Sequence, residues 1–580
     1  MDEGTYLMKG LVFMRGDYQP FEEYGPWTNK MPLAFYIPGA AQFVFGPGLR
    51  TGRYFSIFLA LLMVLGMWLL ARRLGGRWMA AAVVWVLAAS SANILFYVWA
   101  ISQVIVVCML TWVFVLTLGN DRPLWQTTLG AVLAVLIVLT RQNMLPVIPF
   151  ILLYIFWQHG WKAGGYAALA SSIVFIAVHI AYWPAIWSIW RPWLPDFIRG
   201  WITTGRISGD LGQAVWNPEF TTFSRLYVFW EGIRFNFFAL WGALVTWVLW
   251  PRRSAWKSDA HFKIAVILSA LLIVMVAAHY WAAAFRDFCL FCYSGYLAFF
   301  APAGILLVVV SVASWMRNPG IFRQALAAVA VAVHATGIAF GAYDQIDDPI
   351  LNLPIPRVTN MRILPGFTQL WRSLSNKFDV PFETLQQVLP TLAGFAFGLF
   401  LLAVIAIVAA RLSKKRAISF GYTALVVFFI LGALLTPTPL FSGDRLNAFC
   451  GWDVIASHEA VGEHLAQYVP PGSLVFWQND ISPLPLLYIP DVRVFPAQLN
   501  HWYTFREGGD PDLLVRHSLW NRELQQRWLL EADYALVADA YIQRLVERGL
   551  INERHDKISS TPLTVPCQGR SNIHIFRISP

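Results

Sequence analysis

Residues 52–71 read GRYFSIFLALLMVLGMWLLA, a run in which the one charged side chain stands near the start. A helix of about 20 apolar residues is long enough to cross the hydrocarbon core of a bilayer. Comparable runs recur along the chain, which is 57% hydrophobic and 13% charged, whereas soluble proteins carry about 25% charged residues. The sequence therefore predicts an α-helical polytopic membrane protein.

We expect about twelve membrane-spanning helices from the lengths of these runs. They lie near residues 52–71, 78–97, 102–119, 125–140, 144–158, 165–188, 234–251, 263–283, 288–312, 322–341, 390–411 and 417–437. Connections rich in arginine and lysine alternate with connections that carry few of them, and basic connections face the cytoplasm. The alternation predicts that the N-terminal residues, the loops 189–233 and 342–389, and everything after residue 438 face outward.

Three parts follow from this arrangement. Residues 1–51 form a first extracytoplasmic loop with amphipathic interfacial helices, and residues 52–438 form the transmembrane helical domain. Residues 439–580 are more polar, and strand patterns there alternate with helix patterns. "PGSLVFWQND" and "NIHIFRI" are typical of strands, and "DVIASHEAVGEHLAQYV" is typical of an amphipathic helix. This region predicts a small C-terminal extracytoplasmic α/β domain that covers or shapes a site.

The first fifty residues carry an ordered set of motifs. An Asp-Glu pair is followed by a helix with a tyrosine, a Gly-Asp turn, a lysine with a Pro-Leu stretch, an apolar half-helix that ends in Phe-Gly, and an arginine that opens the next span. These residues are Asp2, Glu3, Tyr6, Gly16, Asp17, Lys30, Pro32, Leu33, Phe45, Gly46 and Arg53.

This set resembles the first outer loop of the GT-C glycosyltransferase superfamily. It is most similar to the branch of the aminoarabinose transferases, the protein O-mannosyltransferases (dolichyl-phosphate-mannose-protein mannosyltransferase-like) and related bacterial enzymes. The resemblance implies an inverting glycosyltransferase, a hexosyl- or pentosyltransferase that uses a polyprenyl-phosphate-linked sugar donor. The acceptor would be an extracytoplasmic lipid, glycan or protein. The implied location is the bacterial plasma (inner) membrane, with the active site on the outer face.

The resemblance also assigns roles to residues. Asp2 is the candidate base that takes the proton of the acceptor, as one positioned carboxylate can, and Glu3 either orients the acceptor or binds a divalent metal. The leaving phosphate gains negative charge, so cationic side chains near it are valuable. The candidate phosphate ligands are Lys30, Arg141 and Arg286. The candidates for positioning the acceptor or the loop are Tyr6 and Tyr24.

Other features limit the partners. The net charge of +10 lies mostly beside the spans, so we expect a lipid bilayer as partner and no nucleic acid. No protein metal site is predicted, and a divalent metal at Glu3 is the one cofactor left open. Cys289 and Cys292 lie in an apolar run and predict a packed pair, whereas Cys450 and Cys567 could pair in an oxidising compartment.

The chain departs from the family pattern at several positions. Ser102 and Gln103 stand where relatives often carry an acidic residue, and Asn29 stands where they carry a glutamate. Three alternatives stay open: a transporter or flippase for a lipid-linked saccharide, a non-catalytic family member that binds the lipid-linked sugar, and a polysaccharide polymerase or ligase. Single histidines on apolar runs are expected to be core residues; they are His179, His279 and His334.

In the family, a first transmembrane helix precedes the Asp-Glu pair, whereas here the pair follows Met1 directly. We therefore expect the natural chain to begin earlier, with an apolar run of about 20 residues encoded in frame upstream.

Overall fold

The computed structural model describes residues 2–17, 20–21, 31–190, 210–215, 236–285, 300–315, 320–341, 353–413, 453–478, 482–500, 504–562 and 572–579. Within these ranges the chain is mostly helical, in agreement with the predicted fold class. The helices before residue 414 are α1 (Asp2–Arg15), α2 (Leu33–Phe45), α3 (Leu49–Gly75), α4 (Arg77–Ala89), α5 (Ser91–Val98), α6 (Ser102–Thr117), α7 (Leu124–Thr140), α8 (Val147–Ala181), α9 (Phe237–Val248), α10 (Asp259–Phe285), α11 (Ala301–Ser311), α12 (Ile321–Gly341), α13 (Leu370–Phe378) and α14 (Phe382–Ser413).

Several of these helices have the length and composition of membrane spans. Among the described residues, three helical segments are long enough and apolar enough to cross a membrane: Leu49–Gly75, Gln142–Ala181 and Asp259–His279. Shorter apolar helices accompany them. Trp78, Trp85 and Trp161 are largely exposed on helix surfaces, as lipid-facing side chains would be. The length and composition of these helices are those of a membrane protein.

Glycine and serine positions refine the predicted spans. The expected span 78–97 is interrupted at Ser90, whose extended backbone separates α4 from α5. Gly160 interrupts α8 with a φ of 84°, a conformation that glycine adopts without a Cβ clash. The break at Gly160 falls between the two spans predicted at 144–158 and 165–188.

The first helix is present, but it does not lie on the surface. Leu7, Leu11 and Phe13 are buried, as the apolar face of an amphipathic helix would be, yet Met8 and Lys9 are buried as well. The reason is that α1 has neighbours on more than one side. It packs along α2 and shares a hydrophobic core with residues from the C-terminal part of the chain.

The C-terminal part contains a five-stranded mixed sheet. Its helices are α15 (Val454–Tyr468), α16 (Pro511–Arg516), α17 (Arg522–Glu531) and α18 (Asp539–Glu547). The strands of the described residues are numbered along the whole chain. Three precede residue 414: β1 (Gln213–Ala214), β2 (Arg357–Thr359) and β3 (Arg362–Leu364). The C-terminal part contains β4 (Leu474–Gln478), β5 (Arg493–Val494), β6 (Arg506–Glu507), β7 (Tyr534–Ala538), β8 (His555–Ser560) and β9 (Ile573–Ile578).

The strand order of this sheet is β5-β4-β7-β9-β8. β4 pairs in parallel with β5 and β7, and β9 runs antiparallel to β7 and β8. The strands predicted from "PGSLVFWQND" and "NIHIFRI" are β4 and β9, and the predicted amphipathic helix is α15. One face of the sheet contributes Val475, Trp477 and Ile575 to the core that also contains α1. The sheet thereby covers α1.

Candidate active site at the start of α1

The first turn of α1 meets the ends of several helices. α3 and α6 begin there, α7 ends there, and α15 of the C-terminal part packs on α3, to which Glu459 is hydrogen-bonded at Arg50. We call this region, which includes Glu3, Tyr6, Arg53, Ser102 and Arg141, the α1 end of the molecule. The apolar bodies of α3, α6 and α7 pack in one hydrophobic core, and those of α1 and α15 pack in a second. The polar residues at the ends of these helices therefore meet.

Glu3 is the most tightly held carboxylate at the α1 end. Arg53 of α3 donates to it in a bidentate manner, from Nε to Oε1 at 3.0 Å and from Nη2 to Oε2 at 2.8 Å. The backbone N–H of Ala100 also donates to Oε1, at 3.0 Å. Both side chains of the pair are largely buried. Glu3 therefore ties α1 to α3 and to the loop before α6.

This geometry bears on the two roles that the sequence suggested for Glu3. Both of its oxygens already accept hydrogen bonds from fixed donors, and a carboxylate neutralised by a bidentate arginine is a weak metal ligand. Among the described residues, no group of three or more His, Cys, Asp or Glu side chains could hold a metal ion. The arginine that opens the next span in the sequence motif is thus the partner of Glu3.

Asp2 is the first residue of α1, and the structure describes its backbone but not its side chain. A helix N-terminus carries unpaired N–H groups and a partial positive charge, which favour a negative charge there. Tyr6 follows one helical turn later in α1.

Tyr6 belongs to a chain of hydrogen bonds across three helices. Ser102, the first residue of α6, donates from Oγ to the Tyr6 hydroxyl at 3.0 Å. Arg141, which follows α7, donates from Nη1 to Ser102 Oγ at 2.9 Å. Ser102 is fully buried, and the Tyr6 ring stacks on Phe35 of α2. The structure thus brings together Tyr6 and Arg141, which the sequence had predicted separately.

Two histidines have their ring nitrogens assigned by their partners. His279 of α10 donates from Nδ1 to the Met275 carbonyl at 2.8 Å, so its Nε2 accepts from the Asn143 amide at 2.9 Å. His179 donates to Phe175 O and accepts from the Trp190 indole. Both rings have both nitrogens hydrogen-bonded. His279 is buried, as expected of a core residue, whereas His179 is only half-buried. The contact of His279 reaches the turn after Arg141, so it also braces the α1 end.

His458 of α15 is a site residue that the sequence did not reveal. It is 6% exposed, and its Nδ1 is buried with no hydrogen-bond partner in the described part of the chain. Burial lowers the pKa of His458 to about 4; the Arg53 charge adds to this effect and the Glu3 charge opposes it. The imidazole is therefore neutral near pH 7. A helical pattern cannot predict that this face of α15 lies against α1.

Further contacts fix the C-terminal part to the α1 end. Glu459 accepts a bidentate pair of hydrogen bonds from Arg50 of α3, at 2.8 and 2.7 Å, and this pairing lowers the pKa of Glu459. The Tyr488 hydroxyl accepts from the Leu49 N–H at 3.3 Å. A Cβ added to Gly4 would lie 2.1 Å from Ser482 Oγ, so α1 and the C-terminal part are in direct contact.

One buried lysine lies on α1. Lys9 is 1% exposed, and its Nζ is 5.3 Å from the centre of the Phe35 ring. Burial lowers the pKa of Lys9 well below its ordinary value. No sequence pattern marked this residue as buried, because a lysine on an amphipathic helix is normally solvated.

Other predicted site residues lie outside the described residues. They are Lys30, Tyr24 and Arg286. The cysteines considered for pairing also lie outside: Cys289, Cys292, Cys450 and Cys567.

Known proteins resemble this chain in structure but not in sequence. No protein-family model and no curated protein sequence matches the chain. The chain is similar to the crystal structure of ArnT from Cupriavidus metallidurans bound to undecaprenyl phosphate, with a TM-score of 0.48 and 14% identity over 99% of this chain and 93% of that chain. It is also similar to ArnT from the same organism in the apo state, with a TM-score of 0.47, 14% identity and the same coverage of both chains. Both are structures of an aminoarabinose transferase of the GT-C family, the branch that the first-loop motifs resemble.

Proposed function

We propose that this chain is an inverting glycosyltransferase of the GT-C type that moves a sugar from a polyprenyl-phosphate-linked donor to an extracytoplasmic lipid, glycan or protein. The observation that carries this proposal is the α1 end itself. There, a helix N-terminus with two consecutive carboxylates meets Tyr6, Ser102 and Arg141 at the termini of apolar helices. Such a place suits a substrate whose lipid tail lies in a bilayer and whose phosphate lies at its surface.

In this proposal Asp2 and Glu3 have different tasks. Asp2 takes the proton of the acceptor hydroxyl while the acceptor oxygen forms a bond to the anomeric carbon. The bond from that carbon to the phosphate oxygen breaks, and polyprenyl phosphate leaves with the electron pair. One displacement inverts the anomeric centre, with no glycosyl-enzyme intermediate. Glu3, held by Arg53, keeps α1 in position.

The membrane arrangement is part of the proposal. We place about twelve spans in residues 52–438, with the loops 189–233 and 342–389, the α1 end and residues 439–580 on the outer face of the plasma membrane. The fused C-terminal α/β domain would then cover the α1 end. Lys30 and Arg286 would join Arg141 around the phosphate, and Tyr24 would position the acceptor or the loop.

The test is a deletion strain complemented with the full chain, its Asp2→Asn variant and an Asp379→Asn control. Asp379 is exposed and left-handed, with a φ of 52°, a conformation that asparagine accepts. Deletion should cause the donor lipid to accumulate and should remove one sugar from a surface lipid, glycan or protein. Wild type and the control should restore the sugar, and Asp2→Asn should not, although it reaches the membrane in equal amount.

The result also separates the alternative functions. If the chain were a flippase, the lipid-linked saccharide would stay on the inner leaflet in the deletion strain. Loss of donor transport in that strain, together with full complementation by the Asp2→Asn variant, would favour a flippase. Full restoration by Asp2→Asn would show that Asp2 is not the base.

A further inference from the structure

We infer that Tyr6 donates a hydrogen bond to an anionic oxygen of the leaving phosphate, as the last member of the chain Arg141–Ser102–Tyr6. This inference rests on the proposed function and assigns Tyr6 a role in stabilising the leaving group. The sequence motif had suggested only that Tyr6 positions the acceptor or the loop.

The direction of the chain follows from the chemistry of its members. A guanidinium can only donate, so Ser102 Oγ accepts from Arg141 at 2.9 Å. Ser102 has one proton, and it is 3.0 Å from the Tyr6 hydroxyl but 3.4 Å from Gln103 Oε1. The shorter distance is the better hydrogen bond, so Ser102 donates to Tyr6. The hydroxyl proton of Tyr6 must then point elsewhere.

Burial determines which member can reach a ligand. Ser102 is 0% exposed, so no substrate can touch it. Tyr6 is partly exposed, and no acceptor for its proton occurs among the described residues. Its ring is held by stacking on Phe35, with ring centres 5.5 Å apart. The hydroxyl that this chain presents to a ligand is therefore that of Tyr6.

The cationic end of the chain makes Tyr6 a stronger donor. Arg141 polarises Ser102, and Ser102 polarises the Tyr6 hydroxyl, because linked hydrogen bonds strengthen one another in a low-dielectric environment. A donor of this kind prefers an anionic acceptor, and in the proposed reaction the leaving phosphate is the group that gains negative charge. The benefit is greatest when the phosphate carries its full charge, which is after the glycosidic bond breaks.

The experiment measures binding of undecaprenyl phosphate and of uncharged undecaprenol to the full chain in nanodiscs. The free phosphate carries the charge that develops on the leaving group, so neither the sugar nor the acceptor needs to be known. Tyr6→Phe keeps the ring and its stacking but removes the proton donor. It should weaken binding of undecaprenyl phosphate by about tenfold to a hundredfold, as expected for a hydrogen bond to a charged group, and leave undecaprenol unaffected.

Two further variants test the chain. Ser102→Ala should weaken phosphate binding by a smaller factor, and adding it to Tyr6→Phe should cause little further loss, because coupled residues are not additive. Tyr166→Phe is the matched control, since Tyr166 is an exposed residue of α8 far from these contacts in sequence.

Each outcome has a distinct meaning. Undiminished phosphate binding by Tyr6→Phe would overturn the assignment, and so would an equal loss of both ligands, which indicates a structural role. Independent, additive effects of the two variants would overturn the chain from Arg141. If the wild-type chain itself failed to prefer undecaprenyl phosphate over undecaprenol, the proposed function would fail instead.

Discussion

Glu3 and Asp2 are neighbours in sequence, but their surroundings give them different chemistry. Glu3 is buried and accepts three hydrogen bonds, two from Arg53 and one from the Ala100 N–H. Asp2 precedes it at the tip of the helix. This contrast favours a structural role for Glu3 and leaves Asp2 as the candidate base.

Glu3→Gln should therefore lower stability more than any exposed glutamate does. Removing one partner of a buried ion pair leaves the other charge unpaired, which costs about 3 kcal/mol of unfolding free energy. Denaturant titration in detergent would measure the loss, with Glu463→Gln on the exposed side of α15 as control. Equal unfolding free energies for the two variants would contradict the role given to Glu3.

His458 should make stability depend on pH. Its pKa in the folded chain is about 4, against 6.5 ordinarily, so the unfolded chain takes up a proton first as the pH falls. The neutral imidazole therefore favours folding fully above pH 6.5, and this contribution is lost between pH 6.5 and 4. The expected loss by pH 5 is about 2 kcal/mol.

The measurement compares unfolding free energies at pH 7.5 and pH 5. His458→Asn should flatten the pH dependence by about the same 2 kcal/mol, whereas His517→Asn, a replacement outside the α1 end, should not. An unchanged slope in His458→Asn would mean that other groups dominate the acid response.

Two glycines set the distance between α1 and α2. A Cβ on Gly10 would lie 2.7 Å from the Phe35 carbonyl oxygen and 2.9 Å from the Gly39 nitrogen, and a Cβ on Gly39 would lie 2.3 Å from the Gly10 oxygen. The obstacles are backbone atoms, which cannot rotate away. The two helices therefore touch through their backbones, and the position of Asp2 and Tyr6 depends on that contact.

Gly10→Ala should separate the helices. Overpacking of this kind costs about 1–3 kcal/mol, and it should reduce sugar transfer as well, because α1 carries the candidate site. Gly165→Ala is the control: Gly165 lies in α8 with open space around its Cβ position, so alanine should be neutral or slightly stabilising there. Thermal unfolding and complementation measure both effects, and a harmless Gly10→Ala would refute the close contact.

The elements themselves could be predicted well from the sequence. Long apolar runs predicted the long helices, and short apolar stretches followed by polar residues predicted β4 and β9. Such patterns reflect local backbone geometry. The interruption at Ser90 was not predicted, because the apolar run continues on both sides of this serine and does not show that its backbone is extended. The burial of Lys9 was not predicted, because α1 is also packed against residues of the C-terminal part, which lie more than 450 positions away in the sequence.

The site was only partly predictable for the same reason. The motif order indicated Glu3, Tyr6 and Arg53, but not that Arg53 binds Glu3 from 50 residues away, or that Ser102 links Tyr6 to Arg141. Sequence spacing specifies neighbours on one helix, whereas these contacts join different helices at their ends. The burial of His458 could not be predicted from the sequence, because no local pattern shows which face of α15 is covered.

At the scale of the whole molecule, the C-terminal part and the membrane helices form one unit around α1. Glu459 of α15 binds Arg50 of α3, and Arg15 at the end of α1 donates to the Val492 carbonyl at 3.1 Å. Asp491 adds an ion pair to Arg15 at 3.4 Å. The C-terminal part is therefore held to α3 through Glu459 and to the last residue of α1 through Val492 and Asp491, and its displacement should uncover the candidate site.

The Arg50–Glu459 pair offers a reciprocal test of this coupling. Arg50→Glu or Glu459→Arg places like charges opposite each other, which should loosen α15 from α3, speed proteolysis of the C-terminal part and lower sugar transfer. The double exchange restores opposite charges in reversed order and should recover transfer by about fivefold over either single variant. Because Arg50 is exposed, the single variants should also be partly rescued by high salt. A double variant no better than the single ones would show that the pair does not hold the sheet, and that α1 is covered by apolar packing alone.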